Sequence, residues 1–173
     1  MPKKSASEAP STNAIELLKK DHKEVLAMFD DFEKLKDGDD DDLKHELVER
    51  ICTELTIHAQ IEEELFYPAL RNAFDDQSLL DEAEVEHTMA SMLISELESM
   101  EPGDDLYDAK VTVLGEYVRH HIDEEQEQMF PKARKAGVDL DELGLELFER
   151  KEELLTEFGM PDSDEDAIET DKD

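Results

Sequence analysis

Apolar residues recur every three or four positions along most of this sequence, which is the spacing of amphipathic helices. The pattern is interrupted by an acidic segment at residues 37–42, by residues 75–78 and by residues 101–103. We predict helices from a cap at Ser11 or Thr12 to about Lys36, Leu43 to about Phe74, Leu79 to about Met100, Asp104 or Asp105 to about Lys135, and Leu140 to Phe158. The predicted fold class is all-α, an up-down-up-down four-helix bundle with an additional C-terminal helix.

The predicted helices divide the 173 residues into one domain and flanking segments. Residues 11–136 form the bundle domain, and residues 137–158 an accessory C-terminal helix. Residues 1–10 and the acidic residues 159–173 carry few apolar side chains and are expected to be disordered. Within the bundle, Pro68 should kink the second helix or end its regular part, and Gly137 should end the fourth.

A sequence repeat relates the two halves of the bundle. LTIHAQIEEELFYPAL at residues 55–70 reappears as VRHHIDEEQEQMFPKA at residues 118–133, and each copy contains an H-x-x-x-E motif followed by a proline. A lone histidine precedes each motif by about the same interval. Residues four apart share a helical face, so the repeat directs these side chains to one interior point: His22, His58, Glu62, His87, His121 and Glu125.

Burying six such groups without partners would cost several kcal/mol each, whereas bound cations relieve that cost. Four imidazoles and two carboxylates without a thiolate suit iron, manganese or zinc, and two shared carboxylates suit a pair of ions. With two histidines per ion, both glutamates bridging and one oxo or hydroxo bridge, each octahedral ion keeps one open position. His120 could pair with Glu124 in a competing register, but only the His121 register is shared by both copies. His45, near a helix start, is expected to be exposed.

The amino-acid composition makes some classes of binding partner unfavourable. Fifty acidic against 18 basic residues give a formal net charge of −32, which repels nucleic acid and anionic membranes. The excess fits an ordinary acidic protein or one from a high-salt cytoplasm. Cys52 is the only cysteine and falls on an apolar helical face, so it should be buried and unreactive. No apolar run approaches the roughly 20 residues of a membrane span, and a cytoplasmic location is expected.

The pattern H…H-x-x-x-E…H…H-x-x-x-E, with its LFYPAL and MFPKA endings, resembles the hemerythrin-like HHE cation-binding domain family over roughly residues 11–135. The resemblance implies a four-helix bundle holding a non-haem di-iron centre, with the six residues above as its ligands; manganese or zinc is less favoured. Oxygen-carrying hemerythrins have a fifth histidine where this chain has Ser91. The chain therefore looks more like the four-histidine bacterial members associated with oxygen, nitric oxide or peroxide chemistry and with iron-centre repair.

Two functional classes remain open at this stage. One is an enzyme, peroxidase-like, catalase-like or nitric-oxide-consuming, that acts in stress defence and takes electrons from a donor that the sequence does not identify. The other is a non-catalytic sensor or store for oxygen, nitric oxide or iron. Tyr117, one turn before His121, is the candidate for a catalytic side chain. No organic cofactor is expected, and the chain should be a monomer or a weak homodimer.

Overall fold

The computed structural model describes residues 13–160, and all the regular structure in that range is helical. Five helical rods can be followed, two of them interrupted by a π-turn. In order they are α1 (Ala14–Leu35); α2 (Asp41–Ile61), π1 (Glu62–Phe66) and α3 (Tyr67–Ala73); α4 (Ser78–Glu98); α5 (Tyr107–Glu124), π2 (Glu125–Met129) and α6 (Phe130–Lys135); and α7 (Leu140–Glu157). The all-α prediction, including the additional C-terminal helix, is confirmed. No helix in the described range is long and apolar enough to cross a membrane.

Several helix ends differ from the predicted ones by one to three residues. Asn13, rather than Ser11 or Thr12, caps α1, because its side-chain oxygen accepts hydrogen bonds from the backbone N–H groups of Ile15 and Glu16. Ser11, Thr12 and the segments expected to be disordered, apart from Gly159 and Met160, lie outside the described residues. The second helix begins at Asp41, two residues earlier than predicted.

The fourth rod begins at Tyr107 instead of Asp104 or Asp105, because Leu106 has a left-handed φ of 71° that an α-helix does not allow. Gly137 ends that rod with φ 76°, as predicted.

The regular part of the second helix ends shortly before Pro68. The irregularity lies before it, in π1, where the N–H of Tyr67 donates to the carbonyl of Glu62 five residues back. Pro131 follows π2 in the same way, with the N–H of Phe130 donating to Glu125. Each proline sits in the first turn of the continuing helix, where its missing N–H breaks no established ladder.

The bundle core consists of two clusters of buried apolar side chains. One joins the starts of α1 and α4 and the end of α2 to α3, α6 and α7, and the other joins the ends of α1 and α4 to the middle of α2 and to α5. Gly115 lets α5 approach α1 closely, since a Cβ there would lie 3.0 Å from the Phe29 ring. His22 lies between the two clusters along α1, and Glu125 lies between them along the fourth rod. The polar residues of the repeat therefore occupy the level where the apolar core is interrupted.

The accessory helix α7 packs on the bundle. Its buried leucines, Leu143, Leu147, Leu154 and Leu155, belong to the same cluster as the start of α1 and the end of α2. Lys151 is also buried, and its ammonium group donates to Asp21 Oδ1 at 2.6 Å. Asp21 precedes one of the repeat histidines, so α7 reaches the polar level of the bundle.

Candidate metal centre

All six residues singled out by the repeat meet inside the bundle. Glu62 and Glu125 are 0% and 1% exposed, and His22 is 2% exposed. The other three imidazole side chains are 10–13% exposed. Each glutamate is the first residue of a π-turn. The π-turns therefore begin at the carboxylates that lie deepest in the bundle.

The first group contains His22, His58, Glu62 and Glu125, whose ligand-type atoms all lie within 4.8 Å of one another. His22 Nε2 lies 3.1 Å from Glu125 Oε1, and His58 Nε2 lies 3.4 Å from Glu62 Oε2. None of these four buried atoms has a partner in hydrogen-bonding geometry. Buried polar atoms almost always have a hydrogen-bond partner. Four nitrogen and oxygen atoms that lack one and converge on one point are therefore suited to bind a cation.

The second group contains Glu62, His87 and His121, which also offer three ligand atoms within 4.8 Å. The two Nε2 atoms are 3.2 Å apart. The hydroxyl of Tyr67 lies 3.2 Å from each of them, 3.3 Å from Glu62 Oε1 and 2.6 Å from Glu125 Oε2. One phenol proton can satisfy only one of these four neighbours, and the shortest contact assigns it to Glu125. The remaining convergent atoms again fit a cation, with Glu62 shared between the two groups.

The outer nitrogen of every histidine is held by an oxygen acceptor. His58 Nδ1 donates to Asp21 at 3.0 Å and His121 Nδ1 to Glu86 at 2.7 Å. His22 Nδ1 donates to Gln126 at 2.9 Å, and His87 Nδ1 to Glu63 at 3.3 Å. Such contacts fix the tautomer and the ring orientation of metal-binding histidines. All four Nε2 atoms are thereby turned inward, towards the two buried carboxylates.

Charge within the cluster perturbs its protonation. Burial alone would lower the pKa of His58, but the carboxylates of Glu62 and Asp21 outweigh it and raise that pKa to about 10. Burial is likewise outweighed at His87, whose pKa rises to about 9 through Glu62 and Glu63. Burial and the nearby carboxylates raise the pKa of Tyr67 well above its ordinary value. The phenol thus stays protonated, and a metal ion entering the cluster must displace protons from the imidazoles.

Sequence reasoning missed the side chains around the six. Asp21 and Glu86 each precede a lone histidine, and Glu63 and Gln126 each follow a motif glutamate, so the repeat already placed them in matching positions. Tyr67 corresponds to Phe130 in the other copy, which stacks near His22 with ring centroids 6.0 Å apart. Each of these two residues directly precedes the proline of its copy, so aligning the copies on their prolines reveals the Tyr/Phe difference. That difference is the sequence signal that could have identified Tyr67.

The remaining candidates lie outside the cluster. Tyr117 is 38% exposed on the wall of a neighbouring cavity, and the phenol that contacts the six side chains is that of Tyr67. His45 is exposed beside Glu49, as expected. His120 is 64% exposed and pairs with Glu124 at 3.1 Å. Glu63, although about half exposed, contacts His87 Nδ1 at 3.3 Å.

Comparison with known proteins places this helical bundle and its histidines in a family. The model of the hemerythrin HHE cation binding domain matches residues 13–133, so the chain belongs to that family. A solved structure of a hemerythrin HHE cation binding domain-containing protein from Mycobacterium kansasii superposes with a TM-score of 0.71 at 26% identity, covering 84% of this chain and 88% of that one. These findings confirm the resemblance seen in the sequence and establish a cation-binding domain with His/Glu clusters able to hold metal.

A curated relative is more distant in organisation. It is described as a DNA nickase from Nostoc sp. and is 26% identical over 131 residues, which cover 74% of this chain and 35% of that protein. This chain thus spans about a third of the length of that relative.

Proposed function

We propose that the protein is a non-haem di-iron protein that binds and reacts with a small oxidant, namely oxygen, nitric oxide or hydrogen peroxide. The observation that supports it best is the set of four inward Nε2 atoms, each with its Nδ1 bonded outward, facing two buried carboxylates. His22 and His58 would hold one ion, and His87 and His121 the other, with Glu62 and Glu125 shared. Imidazole with carboxylate is a donor set that iron accepts readily.

The bound pair would supply two electrons, one from each ferrous ion, for reduction of the oxidant. The chain contributes access, orientation and a proton. The four histidines line a cavity that opens to solvent, which gives a small molecule a route to the imidazole rings of the cluster. On the other side, the Tyr67 hydroxyl, kept protonated by its raised pKa, donates to Glu125 Oε2 at 2.6 Å. A proton is thus stored beside the carboxylates, where it can serve a reduction.

Turnover is favoured over reversible carriage by Ser91. This exposed serine stands where an oxygen carrier of the family would place a further histidine, so the centre would be left more open to ligands. A role in oxidative or nitrosative stress defence or in iron-centre repair follows from that reactivity. We do not extend the nickase activity of the Nostoc relative to this chain, because a net charge of −32 opposes the phosphate backbone.

Metal analysis tests the centre. After anaerobic iron loading, elemental analysis should give about two ions per chain, as expected for two shared carboxylates among four imidazoles. Glu62→Ala combined with Glu125→Ala should abolish loading, whereas Glu127→Ala, an exposed glutamate in the same π-turn as Glu125, should retain it. A ratio near one, or full loading of the double variant, would contradict the shared-carboxylate arrangement.

Stopped-flow absorbance tests the reactivity. The reduced, iron-loaded protein should be oxidised by oxygen or hydrogen peroxide without accumulating a complex that vacuum reverses. A coloured complex that forms with oxygen and disappears reversibly under vacuum would identify an oxygen store or sensor instead.

A further inference from the structure

The cavity in front of the histidines is much larger than oxygen, nitric oxide or hydrogen peroxide requires. Its volume is about 660 Å³, within the range of roughly 300–1,000 Å³ typical of sites for organic ligands. A water molecule, comparable in size to these oxidants, takes up only about 30 Å³ in the liquid. Space of this size beside a reactive centre needs an explanation beyond access for a diatomic molecule.

The surface of the cavity is mainly apolar, although polar side chains also line it. It lies between the second rod and α4, with α1 and α5 behind it, and its apolar lining includes Val25, Leu55, Ile94, Val118 and Ile122. Ala59, Ala90 and Ser95 lie on the facing helices, where short side chains leave the space open. The outer members are exposed, with Met92 at 58% and Tyr117 at 38%. All four histidines of the cluster line the cavity, so an apolar molecule entering from solvent would reach their imidazole rings.

Acidic side chains on the wall of the cavity disfavour the entry of anions. The titratable side chains there are five carboxylates, four histidines and the phenol of Tyr117, and the described lining contains no lysine or arginine. Lys151 and Arg150 neutralise Asp21 and Glu64 from outside the cavity, while Glu54 is partly buried with its pKa raised by burial. A fatty-acid carboxylate would therefore meet like charge. A neutral ligand would not.

We propose that this cavity binds a neutral organic hydroperoxide, with its hydrocarbon group against the apolar side chains of the wall and its O–O bond at the histidines. The inference rests on the proposed function and specifies its substrate class. In the reaction the O–O bond breaks, two electrons come from a pair of ferrous ions that become ferric, and two protons are taken up. The products are one alcohol and one water. The organic hydroperoxide should therefore bind more tightly than hydrogen peroxide, because only the organic substrate buries apolar surface in the cavity.

Binding can be measured apart from redox turnover. Cumyl alcohol, the product of cumene hydroperoxide reduction, should bind zinc-loaded protein saturably at one per chain in titration calorimetry, and the Ala59 and Ala90 methyl signals should shift in NMR spectra. Ala90→Phe and Ser95→Phe, which fill the cavity from α4, should each weaken binding by about tenfold or more, the scale on which pockets discriminate by size. Ala109→Phe, at an exposed alanine of α5 outside the cavity, should leave binding unchanged. Circular dichroism and zinc content identify any variant that fails to fold.

Kinetics of the iron-loaded protein complete the test. The ratio of the second-order rate constant for oxidation of the di-ferrous protein by cumene hydroperoxide to that by hydrogen peroxide should exceed one and fall by about tenfold in Ala90→Phe. Absence of alcohol binding, or binding that both cavity-filling variants retain, overturns the proposal. Consumption of hydrogen peroxide without cumene hydroperoxide overturns the substrate class alone. If neither peroxide is consumed, the redox function fails together with the substrate, even where the alcohol binds.

Discussion

At the scale of single residues, Tyr67 is the side chain that distinguishes the two halves of the centre. Its hydroxyl contacts Glu62, Glu125, His87 and His121. The equivalent Phe130 has no hydroxyl, and its ring stacks near His22 in the other half. A buried phenol donating at 2.6 Å to a carboxylate is a charge-assisted hydrogen bond. Tyr67 therefore both stabilises the metal-free cluster and holds a proton beside its carboxylates.

Replacing Tyr67 by Phe should remove that bond and that proton. We expect the metal-free protein to lose about 1.5–3 kcal/mol of unfolding free energy, the range for hydrogen bonds to charged groups, measured by urea denaturation. Oxidation of the reduced iron-loaded variant by hydrogen peroxide should slow on the order of a hundredfold, as for loss of a positioned acid.

Tyr107→Phe is the matched control for this change. It removes another buried phenol whose hydroxyl has no hydrogen-bond partner in the described structure, so neither quantity should fall. Equal effects of the two substitutions would show that Tyr67 acts only by packing.

Cys52 provides a residue-scale prediction that depends on pH. The thiol is 2% exposed, and burial together with Glu98 and Glu49 raises its pKa to about 12. Because the thiolate is the nucleophile, native protein should stay nearly unreactive to iodoacetamide up to about pH 10, whereas urea-unfolded protein should react with the ordinary thiol profile. Rapid alkylation of the native chain at pH 8, followed by mass spectrometry, would count against the buried placement.

At the scale of helices, α7 connects the outside of the bundle to the centre. Lys151 is 7% exposed and donates to Asp21, which in turn accepts from Nδ1 of His58. The ordinary apolar pattern of α7 predicts a covering helix but gives no sign that one of its lysines points inward. The accessory helix is thereby linked to the orientation of a metal-binding imidazole.

Removing one member of the buried Asp21–Lys151 ion pair should lower the free energy of unfolding. Asp21→Asn leaves the Lys151 ammonium buried without its counter-charge, and we expect a loss of roughly 3–5 kcal/mol in unfolding free energy, as for other broken buried pairs. Adding Lys151→Met to Asp21→Asn should recover much of the loss, because the uncompensated charge is removed. The measurement is urea denaturation of the metal-free proteins in a double-mutant cycle. If the double variant is as unstable as Asp21→Asn or less stable, the buried lysine is not the cause.

The helix-scale comparison with the sequence shows what periodicity can predict. Helical spacing predicted the five rods, and the repeat predicted that six particular side chains share a level. It could not predict π1 and π2, because proline signals only a backbone irregularity and the expected kink is resolved by widening the preceding turn. Tyr67 was missed for the same reason, since counting at 3.6 residues per turn places it away from the face of Glu62, whereas the π-turn brings its hydroxyl within 3.3 Å of that carboxylate.

At the scale of the whole molecule, the acidic excess is the dominant property. The chain carries 50 acidic and 18 basic residues, and several of the basic ones are already engaged. Arg71, Arg119 and Arg150 each pair with a carboxylate at the surface. Pairs of this kind contribute at most about 1 kcal/mol each. The remaining carboxylates repel one another in the folded state, where they are held closer together than in the unfolded chain.

Salt should therefore stabilise the fold. Raising sodium chloride from 0.1 to 1 M shortens the screening length from about 10 Å to about 3 Å, which weakens the long-range repulsion more than the short ion pairs. We expect the Tm of the metal-free protein to rise by several degrees, since about 1 kcal/mol corresponds to roughly 2–4 °C at this chain length. Differential scanning calorimetry with a chelator present measures the effect, and sucrose at matched osmolality separates it from solvent exclusion. A triple variant, Glu82→Gln, Glu116→Gln and Glu146→Gln, removes three exposed charges from three different helices. This variant should have a higher Tm than the parent chain at 0.1 M salt, and its Tm should rise less with salt, because less repulsion is left to screen. If the Tm of the parent chain instead falls as salt is added, the surface ion pairs outweigh the net charge.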